Sequence, residues 1–164
     1  MQQSSLSQLV QSLGHDGVRY LVVGGLAVNA HGFLRYTADV DLVIELSFQN
    51  ILRVFGALEK LGYRPMNPVT AHQFADAPTR RRWIDEKGMR VLRFFSSEHP
   101  SVFVYVFVDE PFDFAKEYSM ALTKELSERD AVRFVRLETL LTMKQAAGRP
   151  RAHADIAELK RLFE

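Results

Sequence analysis

The sequence predicts an α+β fold with a mixed β-sheet of about 4–5 strands flanked by helices. Three observations carry that expectation. An early β-rich run passes through a helical segment into a second β-rich run, the pattern of an α/β crossover. Two later β-rich runs follow one another across a short polar stretch, the pattern of a β-meander. With 164 residues, 47% of them hydrophobic and 25% charged, the chain suits a single globular domain over residues 1–164.

Leu6, Leu9, Val10 and Leu13 fall at i, i+3, i+4 and i+7, which predicts a first amphipathic helix ending at Gly14. Val18–Val23 is a short apolar β-rich run leading into Gly24-Gly25, and Leu26–Leu34 reads as the helix after the glycines. Tyr36–Leu46 resumes β character. There Val40, Leu42, Ile44 and Leu46 alternate with Asp39, Asp41, Val43 and Glu45. Ile51, Val54, Phe55 and Leu58 predict a third helix closed by Leu61-Gly62, whereas Arg64–Pro78, with three prolines, reads as irregular. Arg80–Gly88 predicts a short charged helix. Met89–Phe95 and Ser101–Val108 predict an antiparallel pair, and Asp113–Leu126 a helix. Val132–Val135 is the last expected strand. Leu137, Leu140 and Leu141 open a helix stopped at Gly148-Arg149-Pro150, and Ile156, Leu159, Leu162 and Phe163 set a final helix on the core.

Several function classes drop out on composition. The absence of cysteine removes disulfides, thiolate metal sites and cysteine nucleophiles. No apolar run has the length of a membrane span, and the Met-Gln-Gln-Ser-Ser start lacks the pattern of a targeting signal, so a cytoplasmic protein with no membrane partner is expected. A net charge of +1 gives no bulk electrostatic signature of a nucleic-acid binder. The five histidines do not cluster at metal-ligand spacing.

Chemistry concentrates at two places. Asp39 and Asp41 stand two residues apart on a predicted strand, which sends both side chains to one face with Cα atoms about 6–7 Å apart. Like charges at that distance repel by about 2.5 kcal/mol at an effective dielectric of about 20. A divalent cation relieves the repulsion, and magnesium takes one or two carboxylates together with substrate phosphates. The alternation equally allows two solvated aspartates on an edge strand. Gly24-Gly25, between strand and helix, suits either close approach of backbone N–H groups to a phosphate or a tight turn needing positive φ.

Val23-Gly24-Gly25, thirteen residues, then Asp39-Val40-Asp41-Leu42 resembles the signature of the DNA polymerase beta-like nucleotidyltransferase superfamily. The stretches Arg35-Tyr-Thr37-Ala-Asp39-Val-Asp41-Leu and Leu141-Thr-Met-Lys144-Gln-Ala-Ala-Gly148-Arg149-Pro150 resemble its bacterial abortive-infection, toxin-type subgroup. The resemblance implies a nucleotidyltransferase-like fold, with the C-terminal helices (about 137–164) beside the cleft. It also implies catalytic Asp39 and Asp41 binding Mg2+, with Gly24 and Gly25 holding nucleotide phosphates. Arg35, Thr37, Lys144 and Arg149 would then complete the nucleotide site. From the residues alone, Lys144 extends the Leu137, Leu140, Leu141 stripe and suits a snorkelling lysine equally well.

Two departures stand out. Relatives carry a third carboxylate on a later strand, and Tyr105 occupies its expected place, with Asp109 four residues on. Arg151-Ala-His153-Ala-Asp155 also lacks an acidic residue that relatives place before the position of Asp155. The expected reaction is magnesium-dependent transfer of a nucleoside monophosphate from a nucleoside triphosphate to an acceptor hydroxyl, with RNA as the acceptor the resemblance implies. Arg80-Arg81-Arg82-Trp83 offers either a basic stacking surface for RNA or a solvated helix face with a core indole. The alternative to an enzyme is a catalytically impaired nucleotide-binding or partner-binding module, regulatory or part of a toxin–antitoxin pair, that keeps the fold and contacts a protein partner.

Overall fold

A computed structural model describes residues 4–34, 36–147 and 150–163. Helix α1 (Ser5–His15) starts where the Ser4 hydroxyl accepts from the Ser7 N–H, and it buries Leu9, Val10 and Leu13. It runs one residue past Gly14, and the chain reverses at Gly17, whose φ is +68°. Strand β1 (Tyr20–Val23) is buried along its whole length and passes directly into α2 (Gly24–Ala30). Strand β2 (Val40–Ile44) is shorter than the expected Tyr36–Leu46, because residues 36–39 form no ladder. Helix α3 (Phe48–Glu59), capped by Ser47, buries Ile51, Val54, Ala57 and Leu58.

The next stretch holds more structure than its prolines suggest. After β3 (Tyr63–Pro65), a capping box of Thr70 and Gln73 starts α4 (Ala71–Ala75), and Asp76 caps α5 (Ala77–Lys87). Gly88, with φ +62°, ends α5. Strands β4 (Val91–Ser96) and β5 (Val104–Phe107) form the expected antiparallel pair. The Asp113–Leu126 helix is a correction: α6 covers Phe114–Ser119, and Leu122–Glu125 is strand β6. Strand β7 (Ala131–Phe134) and helices α7 (Leu137–Ala147) and α8 (Pro150–Phe163) complete the order. In α8, Leu159 is buried as expected, while Gly148 and the side chains of Leu162 and Phe163 lie outside the described residues.

The sheet has seven strands in the order β3-β4-β5-β2-β1-β7-β6, so the expected 4–5 is corrected upward by β3 and β6. Both additions are edge strands. β3 is three residues long and contains Pro65, and β6 reads Leu-Thr-Lys-Glu, so neither carries the alternation of a half-buried strand. The β2/β5 and β1/β7 pairs are parallel and the others antiparallel, so the sheet is mixed; β1 and β2, joined through α2, pair antiparallel, so the expected α/β crossover between them is not made.

One face of the sheet carries the core. Leu92, Phe94, Val104, Val106, Val40, Leu42 and Ile44 are all buried, and α1 and α3 pack on each other. The opposite face at its centre is half-open, with Arg93, Tyr105 and Asp41 partly exposed and Phe95 exposed. Buried Asn50 on α3 fixes the far end of the central pair: its side chain accepts from the Arg19 N–H at 2.8 Å and donates to the carbonyls of Arg19 and Glu45 at 3.0 and 2.8 Å. Among the described residues no helix is long and apolar enough to cross a membrane.

Candidate active site

The antiparallel β1/β2 register sets Val23 opposite Asp41, so the first residue after β1 lands against the Asp41 side chain. That residue is Gly24, with φ +70°. A Cβ there would lie 2.9 Å from Asp41 Cγ and 3.2 Å from Asp41 Cβ, with Oδ2 closer still. Glycine is therefore favoured twice at position 24, by the left-handed backbone and by the Asp41 carboxylate packed on it, which a Cβ would have to displace. Gly25 follows in the first turn of α2, whose N-terminus carries no side-chain cap. β2 lies between β1 and β5, so Asp41 is half-buried at the centre of the sheet and the edge-strand alternative does not describe this fold.

Asp39 immediately precedes β2. Its Oδ1 accepts from the Phe103 N–H at 3.3 Å, at the start of β5. A carboxylate has lone pairs beyond that one bond, so Asp39 keeps capacity for a further partner. The parallel β2/β5 pairing puts Tyr105 in register with Asp41, and the antiparallel β4/β5 pairing puts Arg93 opposite Tyr105. Tyr105 thus stands beside Asp41, where the sequence pattern led one to look for a third carboxylate. Asp109 does not fill that place: it lies beyond the end of β5, and its carboxylate accepts from Arg90 at 3.3 Å. Among the described residues no three His, Asp or Glu side chains converge as a metal-ligand group. The hard oxygen donors nearby are Asp41, against the glycine turn, and Asp39, on the residue just before β2. Such hard oxygen donors fit a magnesium ion that draws its other ligands from phosphate and water.

The other expected site residues are spread more widely. Thr37 is half-buried in the segment leading into β2, between exposed Tyr36 and Asp39. Arg35 and Arg149 lie outside the described residues. Lys144 Nζ donates to Asp155 Oδ2 at 2.8 Å, joining α7 to α8, and Asp155 is 1% exposed. Helix α7 packs on α2 as well as on α8. The basic cluster separates on folding. Arg80 is buried, donating to the Phe74 carbonyl and lying over the Phe74 ring; burial pulls its guanidinium below the usual range. Trp83 packs on Phe74 with ring centroids 6.1 Å apart, and Arg81 pairs with Asp85. Burial thus takes Arg80 out of the cluster, and Trp83 is only partly buried against the core, so neither alternative describes the segment in full.

Arg93 was not singled out by sequence reasoning. Its guanidinium Cζ lies 3.8 Å from the Phe103 ring centroid and 5.8 Å from that of Tyr105. The available signal was one arginine interrupting the apolar run Val91–Phe95 at the alternate parity.

No protein-family model and no functionally curated protein matches the sequence. Solved structures do match the fold. The lincosamide antibiotic adenylyltransferase LnuA, in its lincomycin-bound crystal structure, superposes with a TM-score of 0.60 at 15% identity, over 99% of this chain and 98% of that one. The solution structure of the antibiotic-resistance factor ANT(2'')-Ia gives a TM-score of 0.56 at 16% identity, over 96% and 79% of the two chains. An antigenic nucleotidyltransferase-like protein from Paracoccidioides brasiliensis gives 0.53 at 18%, over 95% and 72%. The chain has a nucleotidyltransferase-like fold.

Proposed function

We propose that the protein binds a nucleoside triphosphate with magnesium at Asp39 and Asp41 and transfers the nucleoside monophosphate to an acceptor hydroxyl. The observation that carries this reading is the packing of the Gly24 backbone on the Asp41 carboxylate, at the point where β1 passes into α2. It puts one of the two aspartates against the first of the two glycines at the sheet centre, which supports reading them as one site. Two structural neighbours support the reaction class: one is described as an adenylyltransferase and another, ANT(2'')-Ia, was crystallised with adenylyl-2''-tobramycin.

In this reading Gly24 and Gly25 let backbone N–H groups approach the phosphates without a side chain intervening. Asp39 and Asp41 hold magnesium, which neutralises phosphate charge and polarises the α-phosphoryl group when bound. The acceptor oxygen forms a bond to the α-phosphorus, the bond to pyrophosphate breaks, and the hydroxyl proton passes to solvent. Most of the acceleration comes from positioning. Thr37, Arg35, Lys144 and Arg149 belong to the proposed nucleotide site; the Asp155 pair suits Lys144 for holding α7 and α8 beside the cleft. The finer assignment is an abortive-infection type enzyme with RNA as acceptor, acting as one cytoplasmic domain.

Tyr105 beside Asp41 favours a second reading, a module that binds nucleotide or a protein partner without turnover. One experiment separates the two. The protein is incubated with each labelled nucleoside triphosphate, magnesium and an acceptor panel of total RNA, aminoglycosides and lincosamides, with Asp41→Asn alongside. Incorporation that disappears in the variant supports transfer. Magnesium-dependent binding without incorporation on any acceptor supports the module, and no triphosphate binding at all refutes transfer and the nucleotide-binding form of the module.

A further inference from the structure

Arg93, Tyr105 and Asp41 form one row across β4, β5 and β2 on the half-open face of the sheet, fixed by the two registers. The Arg93 guanidinium lies over the ring of Phe103, and the Phe103 N–H binds Asp39. This guanidinium differs from five others in the molecule. Arg19, Arg81, Arg90, Arg136 and Arg161 each meet a carboxylate, whereas among the described residues no acidic side chain pairs with Arg93. Its Nε is buried without a hydrogen-bond partner. Aromatic faces stabilise the positive charge but offer no acceptor in the plane of the fork. A planar guanidinium in that state is matched by the paired oxygens of a phosphate or carboxylate.

Its position identifies which part of the reaction it serves. In an in-line displacement, the attacking and leaving oxygens sit on opposite sides of the phosphorus. The strand order β4-β5-β2-β1 places the glycine turn on one side of Asp41 and Arg93 on the other, two strands or about 10 Å from β2. With pyrophosphate at the glycine turn, the acceptor approaches over β5 and β4. We infer that Arg93 binds an anionic group on the acceptor, so that the acceptor is a hydroxyl compound bearing a phosphate or carboxylate near the attacking oxygen. This inference rests on the transfer reaction proposed above.

The test measures binding by ligand-observed NMR, with the donor site filled by a non-hydrolysable α,β-methylene triphosphate and magnesium. Adenosine 5′-monophosphate is compared with adenosine, glucuronate with glucose, and kanamycin serves as a polyamine probe. Wild type should prefer the charged member of at least one pair by about tenfold, the worth of a charge-assisted hydrogen bond. The phosphate and carboxylate pairs report which anion is preferred. Arg93→Gln should abolish the preference while leaving triphosphate binding within about twofold, and Arg93→Lys should retain its sign. No preference in wild type, tighter binding of kanamycin than of either anion, or a preference that survives Arg93→Gln overturns the inference. If the triphosphate does not bind, the proposed reaction fails, and the same pairs measured on the unliganded protein still decide whether Arg93 selects an anion.

Discussion

Replacing Gly24 by alanine asks the structure for two things it does not allow. The backbone at φ +70° disfavours a residue with a Cβ by about 1–2 kcal/mol. The added methyl would sit 2.9 Å from Asp41 Cγ, short of an ordinary contact of about 3.5 Å, so the carboxylate has to move. Overpacking of that kind costs about 1–3 kcal/mol, which brings the expected total for Gly24→Ala to about 2–5 kcal/mol. For a chain of this length that lowers Tm by about 5–15 °C. The two contributions separate in a double-mutant cycle. Asp41→Ala removes Cγ and both oxygens and leaves only the Cβ contact at 3.2 Å, so Gly24→Ala in that background should cost less, close to the backbone part of about 1–2 kcal/mol. Urea unfolding followed by the single tryptophan, Trp83, measures all four corners of the cycle. An equal cost in both backgrounds would show that Asp41 does not press on the turn, and the argument linking the acidic pair to the glycines would fail.

Other expectations follow from charges held inside the fold. Glu117 accepts twice from Arg136, at 2.9 and 3.1 Å, with its side chain 6% exposed; Glu117→Gln should destabilise by about 2–4 kcal/mol in urea unfolding, because a half-buried guanidinium loses its partner. Burial alone would raise the Glu117 carboxyl, but its hydrogen bonds to Arg136 and Thr139 outweigh that and hold it below its ordinary 4.5; the Lys60 hydrogen bond holds Asp16 below 3.8. The stability from both groups is complete above those ordinary values and is lost as pH falls through the lower folded values, so Tm should decline below about pH 4.5. On the alkaline side burial pushes Tyr20 and Tyr63 up to about 12, so their contribution is complete below 10 and is lost between 10 and 12, which a pH series of Tm would show. Lys144→Ala should speed amide exchange in α8 before it affects the central strands, since the ion pair with Asp155 joins α8 to α7.

The parts of the fold that burial specifies were readable in advance. β1, β2, β4, β5 and β7 all carry apolar or alternating runs, and α1 and α3 show helical spacing because one stripe of each faces the sheet. β6 was read as helix because an exposed edge strand takes its order from backbone pairing with β7, which leaves no apolar pattern in Leu-Thr-Lys-Glu. The nearness of Gly24 to Asp41 was suggested by the motif, but its geometric reason is the register that sets Val23 opposite Asp41. Arg93 was illegible for the complementary reason: a single cation in a strand means little until two cross-strand pairings bring it into line with Tyr105 and Asp41.

The parallel pairing of β2 with β5 also has an evolutionary consequence. Tyrosine and aspartate codons differ by a single base, and the ladder presents position 105 alongside Asp41 whichever residue stands there. One point mutation, Tyr105→Asp, therefore installs a neighbouring acid on an unchanged backbone. The backbone that would carry such a change is already in place, since the strand pairing does not depend on the side chain at 105.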